Sequence, residues 1–166
     1  MGGLGTRAVL ASVGRGAISS QPTFSPDGTR IAFASDRSGR IQLYLSDAIG
    51  TGVEPLLSDA PDWMGEQTAP DWSPDGRQLA FQTQVNGTFQ IVVADLRERP
   101  PRVVTSDARH DSPSWAPDSR HLVVTSLRSG ERQLWVVDAE SARSRQLTRG
   151  AESRLAAWSP RLAVMP

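Results

Sequence analysis

Pro70-Asp71-Trp72-Ser73-Pro74-Asp75-Gly76, followed by Leu79-Ala80-Phe81, is the stretch on which the fold turns, because its centre returns elsewhere in the chain. An aromatic residue, a Ser or Ala and a proline recur as Phe24-Ser25-Pro26, Trp115-Ala116-Pro117 and Trp158-Ser159-Pro160. Gln42, Gln90 and Gln133 each lie 16 residues beyond the motif proline, and Asp47, Asp95 and Asp138 each lie 21 beyond it. Chance similarity does not hold two offsets fixed over three copies, so the chain is built from repeats.

Each repeat reads as four short strands, a to d. Strand a ends in the aromatic of the motif. Ile31-Ala32-Phe33, Leu79-Ala80-Phe81 and Leu122-Val123-Val124 mark strand b, and Leu43-Tyr44-Leu45, Ile91-Val92-Val93 and Leu134-Trp135-Val136 mark strand c. Runs this short and rich in β-branched and aromatic residues favour strand over helix. Strand d is weaker, at Pro55-Leu56-Leu57, Val103-Val104-Thr105 and Gln146-Leu147-Thr148. Ser-Pro-Asp-Gly at 25–28 and 73–76 supplies a type I turn between a and b, with Pro fixing φ and Gly taking the positive φ. Ser119 replaces that Gly in the third copy, at an expected cost of about 1 kcal/mol. Ser38-Gly39, Asn86-Gly87 and Ser129-Gly130 punctuate b and c.

Motif prolines 48, 43 and 43 residues apart, with four strands per interval and no helical periodicity, predict an all-β chain of β-propeller blades. Three four-stranded antiparallel blades are expected at 20–58, 59–106 and 107–149. Segment 1–19 would carry the outer strand of a preceding blade at Thr6 to Ser12, and 150–166 a terminal inner strand and tail. Trp72, Trp115, Trp158 and Phe24 read as packing between blades. Asp27, Asp75 and Asp118, with Asp47, Asp95 and Asp138, read as turn acceptors on separate blades and not as ligands of one ion. No metal or cofactor site is expected.

The repeat resembles the TolB-type C-terminal propeller family, whose pattern runs Pro-x-Trp-Ser-Pro-Asp-Gly, Ile-Ala-Phe-x-Ser, Ile-Tyr-x-x-Asp, Leu-Thr. Pro22 to Asp47, Pro70 to Asp95 and Pro113 to Asp138 carry the match, and it extends over about residues 7 to 162. The resemblance implies a six-bladed ring in which the strand ending in the last Trp-Ser-Pro completes the first blade. The resemblance makes 166 residues about half of a propeller, and because an open arc would leave apolar end faces in water, the chain is expected to be a piece of a longer product, one of two self-associating copies or a strained small ring. The resemblance also implies a periplasmic scaffold of the Tol-Pal envelope system that contacts a peptidoglycan-associated lipoprotein. The alternative is the regulatory propeller of a prolyl-oligopeptidase-like or dipeptidyl-peptidase-like enzyme.

A formal net charge of zero argues against nucleic acid as the main partner, and no apolar run reaches the length of a membrane span. All 18 basic residues are arginine, and cysteine is absent. There is no Gly-x-Ser-x-Gly elbow, and the neighbours His110 and Asp111 point apart on an extended chain, so the reading is a non-catalytic one. In a four-stranded meander the a–b and c–d turns share one face, and the b–c and d–a connections share the other. The interval from Asp47 to Pro74 is five residues longer than its counterparts, which enlarges the d–a loop around Trp63, Met64 and Glu66. An aromatic and a methionine on such a loop suit a protein or peptide interface. Arg109, His110 and Asp111, then Glu152 and Arg154, are the polar candidates on the equivalent loops.

Overall fold

In the computed structural model, which describes residues 17–97 and 99–158, the motif aspartates close the first turn of every blade. Asp27 Oδ1 accepts from the Thr29 N–H at 3.0 Å, Asp75 Oδ1 from Arg77 at 3.1 Å and Asp118 Oδ1 from Arg120 at 2.9 Å. Ser25 and Ser73 donate to the first two at 2.6 Å; Ala116 has no hydroxyl to offer, and the His121 ring bonds Asp118 at 2.7 Å instead.

Around these turns the chain forms three antiparallel four-stranded sheets. The first blade is β1 (Ser19–Phe24), β2 (Arg30–Ser35), β3 (Gln42–Asp47) and β4 (Glu54–Pro55). The second is β5 (Met64–Trp72), β6 (Gln78–Val85), β7 (Thr88–Asp95) and β8 (Arg99–Val103), and the third is β9 (His110–Trp115), β10 (His121–Ser126), β11 (Gln133–Asp138) and β12 (Ser144–Gln146). Each is a meander in sequence order. The outer strands end earlier than the apolar pattern predicts. Leu56, Val104 and Leu147 lie just beyond them, yet each still donates its N–H to strand c, to Leu43, Ile91 and Leu134 at 2.8, 2.9 and 2.8 Å. The strand expected at Thr6 to Ser12 lies outside the described residues, as do Ser159 and Pro160. Residues 152–158, which lead into the expected terminal strand, have no strand structure.

Side chains alternate between the two faces of each sheet. Ala34 and Leu43 of the first blade pack on Met64, Phe81 and Val92 of the second, while Ala32 and Leu45 meet Trp72 and Leu79. Ala80, Ile91 and Val93 of the second blade pack on Trp115, Leu122, Val124 and Val137 of the third. Trp72 and Trp115, 6% and 4% exposed, sit between neighbouring sheets, and their Nε1 groups donate to the backbone of the preceding inner strand at Thr23 (3.3 Å) and Asp71 (3.1 Å). Phe24, with no preceding sheet among the described residues, is 51% exposed.

The inner strands share one irregularity that the repeat grammar does not announce. Gln21, Ala69, Ser112 and Leu155 all have φ between 51° and 55°, and they are spaced by the same intervals as the motif prolines. In β1, β5 and β9 this left-handed residue forms a bulge and is followed by Pro22, Pro70 or Pro113. A bulge and a proline on an edge strand block further strand pairing, which protects the inner edge of each sheet.

Candidate partner-binding face

The b–c and d–a connections converge on one face, and strand pairing runs furthest towards it in the second blade. Six residues join β2 to β3 and six join β10 to β11, but only Asn86 and Gly87 join β6 to β7. Both have positive φ, 50° and 78°, as a type I′ hairpin requires. The strands therefore stay paired out to Val85 and Thr88. Ser38-Gly39 and Ser129-Gly130 are parts of longer connections and do not form this turn.

A polar row spans each sheet at this end. Strand pairing aligns Ser19, Ser35 and Gln42 in the first blade, Gln67, Thr83 and Gln90 in the second, and His110, Ser126 and Gln133 in the third. This explains the glutamine repeated at a fixed offset. Gln90 Nε2 donates to the Ala108 carbonyl at 2.8 Å and Gln133 Nε2 to that of Gly150 at 3.0 Å, so each glutamine holds the connection to the next repeat. Their Oε1 atoms accept from Thr105 at 2.8 Å and Thr148 at 2.6 Å, hydroxyls that in turn receive the Ile91 and Leu134 N–H groups at 2.9 Å. In the first blade Leu57 occupies the threonine position. Gln67 of the second blade replaces it, its Oε1 accepting from Leu43 N–H at 3.1 Å.

The structure separates the residues expected to bind a partner. Trp63 is 39% exposed, just ahead of β5, whereas Met64 is 2% exposed and packs in the core with Phe81 and Val92, its sulfur receiving Gln67 Nε2 at 3.2 Å. The expectation that Met64 faces a partner is therefore corrected: it is the first residue of β5, and the pleat turns it inward. His110 is corrected for the same reason. It opens β9, is 2% exposed, and donates from Nε2 to the Ser106 carbonyl at 2.9 Å.

Glu66 is exposed on β5 and, like Asp59 and Asp62 on the enlarged loop, makes no ion pair; no basic residue lies between Arg40 and Arg77. The other candidates are neutralised locally. Arg109 stacks on Phe89 at 4.9 Å and pairs with Asp111 at 3.2 Å. Glu152 pairs with Arg154 at 2.6 Å and Arg132 at 3.3 Å; hydrogen bonds from Arg132 and then Arg154 hold its carboxyl below the usual range. Ile18, Glu66, Arg109 and Glu152 occupy one repeat position, so charge alternates from the second repeat onward. Sequence reasoning missed Phe89, the platform beneath Arg109, although Asn86-Gly87 signals the tight hairpin that presents it. Among the described residues no group of three or more His, Asp or Glu side chains is arranged to hold a metal ion.

Residues 5–162 match the profile of the TolB β-propeller domain. No curated protein matches the chain. Among solved structures, TolB from Acinetobacter baumannii superposes with a TM-score of 0.68 at 26% identity, over 84% of this chain and 35% of that one. A protein assigned to TolB from Agrobacterium tumefaciens gives 0.70 at 25% identity, over 79% and 46%. A puromycin-hydrolyzing peptidase of Mycobacterium tuberculosis shares the fold, with a TM-score of 0.68 at 20% identity over 84% and 23%. The chain thus spans less than half the length of each of these proteins. Repeats, blades and profile agree: this chain belongs to the TolB β-propeller domain family.

Proposed function

We propose that the chain is part of a non-catalytic scaffold that binds a protein or peptide partner through the loop-rich face of its second blade. The observation that carries this reading is Trp63, an indole left 39% exposed while its neighbour Met64 is buried. Within four residues of it in sequence, Asp59, Asp62 and Glu66 are three carboxylates without ion pairs. An exposed indole beside unpaired carboxylates suits a basic segment, which gains cation–π contact as well as charge attraction. Arg109 on its Phe89 platform, with Asp111, and the Glu152–Arg154 pair extend the surface without adding net charge.

Likeness to the TolB structures supports an envelope setting: a periplasmic protein of the Tol-Pal system with a peptidoglycan-associated lipoprotein as partner. Self-association of two half propellers would also cover exposed Phe24 and Trp158, and light scattering on this chain distinguishes a dimer from a monomer. The peptidase reading draws support from the shared fold of the mycobacterial enzyme, and hydrolysis of a chromogenic peptide by the natural full-length product would establish it.

Trp63→Ala tests the leading reading. The expected result is a loss of partner affinity of tenfold or more, as for an interface anchor worth about 2 kcal/mol, with an unchanged melting temperature. Unchanged affinity with a lowered melting temperature would instead make Trp63 a cover for its own loop. Raising the salt concentration should weaken the complex if the three carboxylates contribute.

A further inference from the structure

His110 is the one ionisable member of the polar rows. The same repeat position is filled by Ser19 in the first blade, Gln67 in the second and Ser153 beyond the third, none of which titrates. Its ring is buried, and Nε2 carries the proton, since its partner at 2.9 Å is the Ser106 carbonyl. Nδ1 is buried with no hydrogen-bond partner. A second proton would thus create a charge whose new N–H has no acceptor, in a site closed to water.

The groups around the ring tie it to the connection between the second and third blades. Asp107, at φ 65°, lies 3.8 Å from Nε2 and is claimed by Arg128 of the β10–β11 connection at 2.9 Å. Arg128 also stacks on Trp135 at 5.2 Å. Ser126 on β10 and Gln133 on β11 share its row and are neutral, while Arg109 and Asp111, its neighbours in sequence, satisfy each other. Burial lowers the basicity of His110, Asp107 opposes that, and the Arg128 charge reinforces it.

We propose that residues 105–110 form an acid-released latch, in which protonation of His110 expels its ring from the row and frees the β8–β9 connection from the second and third blades. Three fastenings then loosen together: the His110–Ser106 bond, the Gln90–Ala108 bond and the Asp107–Arg128 pair. In the released state the imidazole regains its ordinary basicity. Lowering the pH from about 7.5 to about 5 therefore multiplies the open population by up to about 30-fold, if the closed ring stays neutral throughout.

Amide hydrogen exchange on this chain, corrected for intrinsic rates, tests the latch at the two ends of that range. Protection over 105–110 and 127–130 should fall as pH falls, while that of β2 and β6 stays constant. His110→Gln, which installs the residue of the second blade, should abolish the response. The same acid response in the variant, or none in the wild type, would overturn the proposal. Should the variant not fold, the imidazole resonances of the wild type decide: a His110 that titrates at its ordinary value while loop protection is unchanged rules the latch out.

Discussion

Ser119 has the backbone of a glycine and a side chain that earns its place. Its φ of 56° carries the expected strain, but its Oγ accepts the Asp75 N–H of the adjoining blade's turn at 3.1 Å, a bond that glycine cannot make. Ser119→Ala keeps the strain and loses the bond, so it should lower stability by about 1 kcal/mol; Ser119→Gly exchanges one for the other and should be nearly neutral in urea denaturation. The turn carboxylates set a second expectation. A hydrogen bond from the Ser25 hydroxyl, then those from Thr29, bring Asp27 down to about 2. Desolvation pushes Asp118 up, but the His121 ring and the N–H groups of His121 and Arg120 outweigh it and carry that carboxyl to about 2. A carboxyl depressed in the folded state stabilises fully above its unfolded value of 3.8, and that contribution is lost as pH falls towards about 2. The thermal midpoint should drop through this window, and Asp118→Asn should flatten its contribution to the drop.

At the scale of the element, the clearest result is that the polar row is preserved although its parts are exchanged. Leu57 removes the hydroxyl that the threonines supply in the later blades, and Gln67 reaches back from β5 to receive the Leu43 N–H. A similar exchange occurs on the inner strands. The N–H groups of the left-handed residues Ser112, in the β9 bulge, and Leu155, at the same repeat position, go to Gln82 and Thr125, side chains of the preceding strand b, at 3.1 and 3.3 Å. Ala34 holds that position in the first blade and has nothing to offer, so Ala69 donates to Gln21 Oε1 at 2.8 Å. A double-mutant cycle measures the first compensation. Gln67→Ala should cost about 2 kcal/mol by stranding a buried N–H, and about 1 kcal/mol less when Leu57→Thr restores the hydroxyl. The blades, the turns and the place of the long loop were legible because prolines, glycines and apolar pairs act on their own neighbourhoods. The compensations were not, since Gln67 and Leu43 lie 24 residues apart and become neighbours only through blade packing. Met64 was misread for a related reason: loop composition suggests exposure, whereas the start of β5 and the pleat that buries the residue are set by pairing with Val85.

Across the whole molecule, the sheets stand face to face, and each aromatic of the repeated motif is worth what its preceding neighbour makes it worth. Trp115 fills the space between the second and third blades, packs on residues of both and donates to Asp71, whose carboxylate in turn receives the Trp115 N–H at 2.7 Å. Phe24 holds the same place in its repeat yet stands 51% exposed. One motif position can therefore show how much stability belongs to stacking and how much to the blade itself. Trp115→Ala should cost about 3 to 5 kcal/mol, because it opens a cavity between two sheets and leaves the Asp71 carbonyl without its indole donor. Phe24→Ala should cost less than about 1 kcal/mol, because little of its ring is removed from water. Both are read from urea midpoints at constant m-value, with near-ultraviolet dichroism confirming the native packing of the remaining tryptophans. Equal losses at the two positions would mean that the aromatics stabilise their own sheets, and the stacked-blade account of this chain would then be wrong.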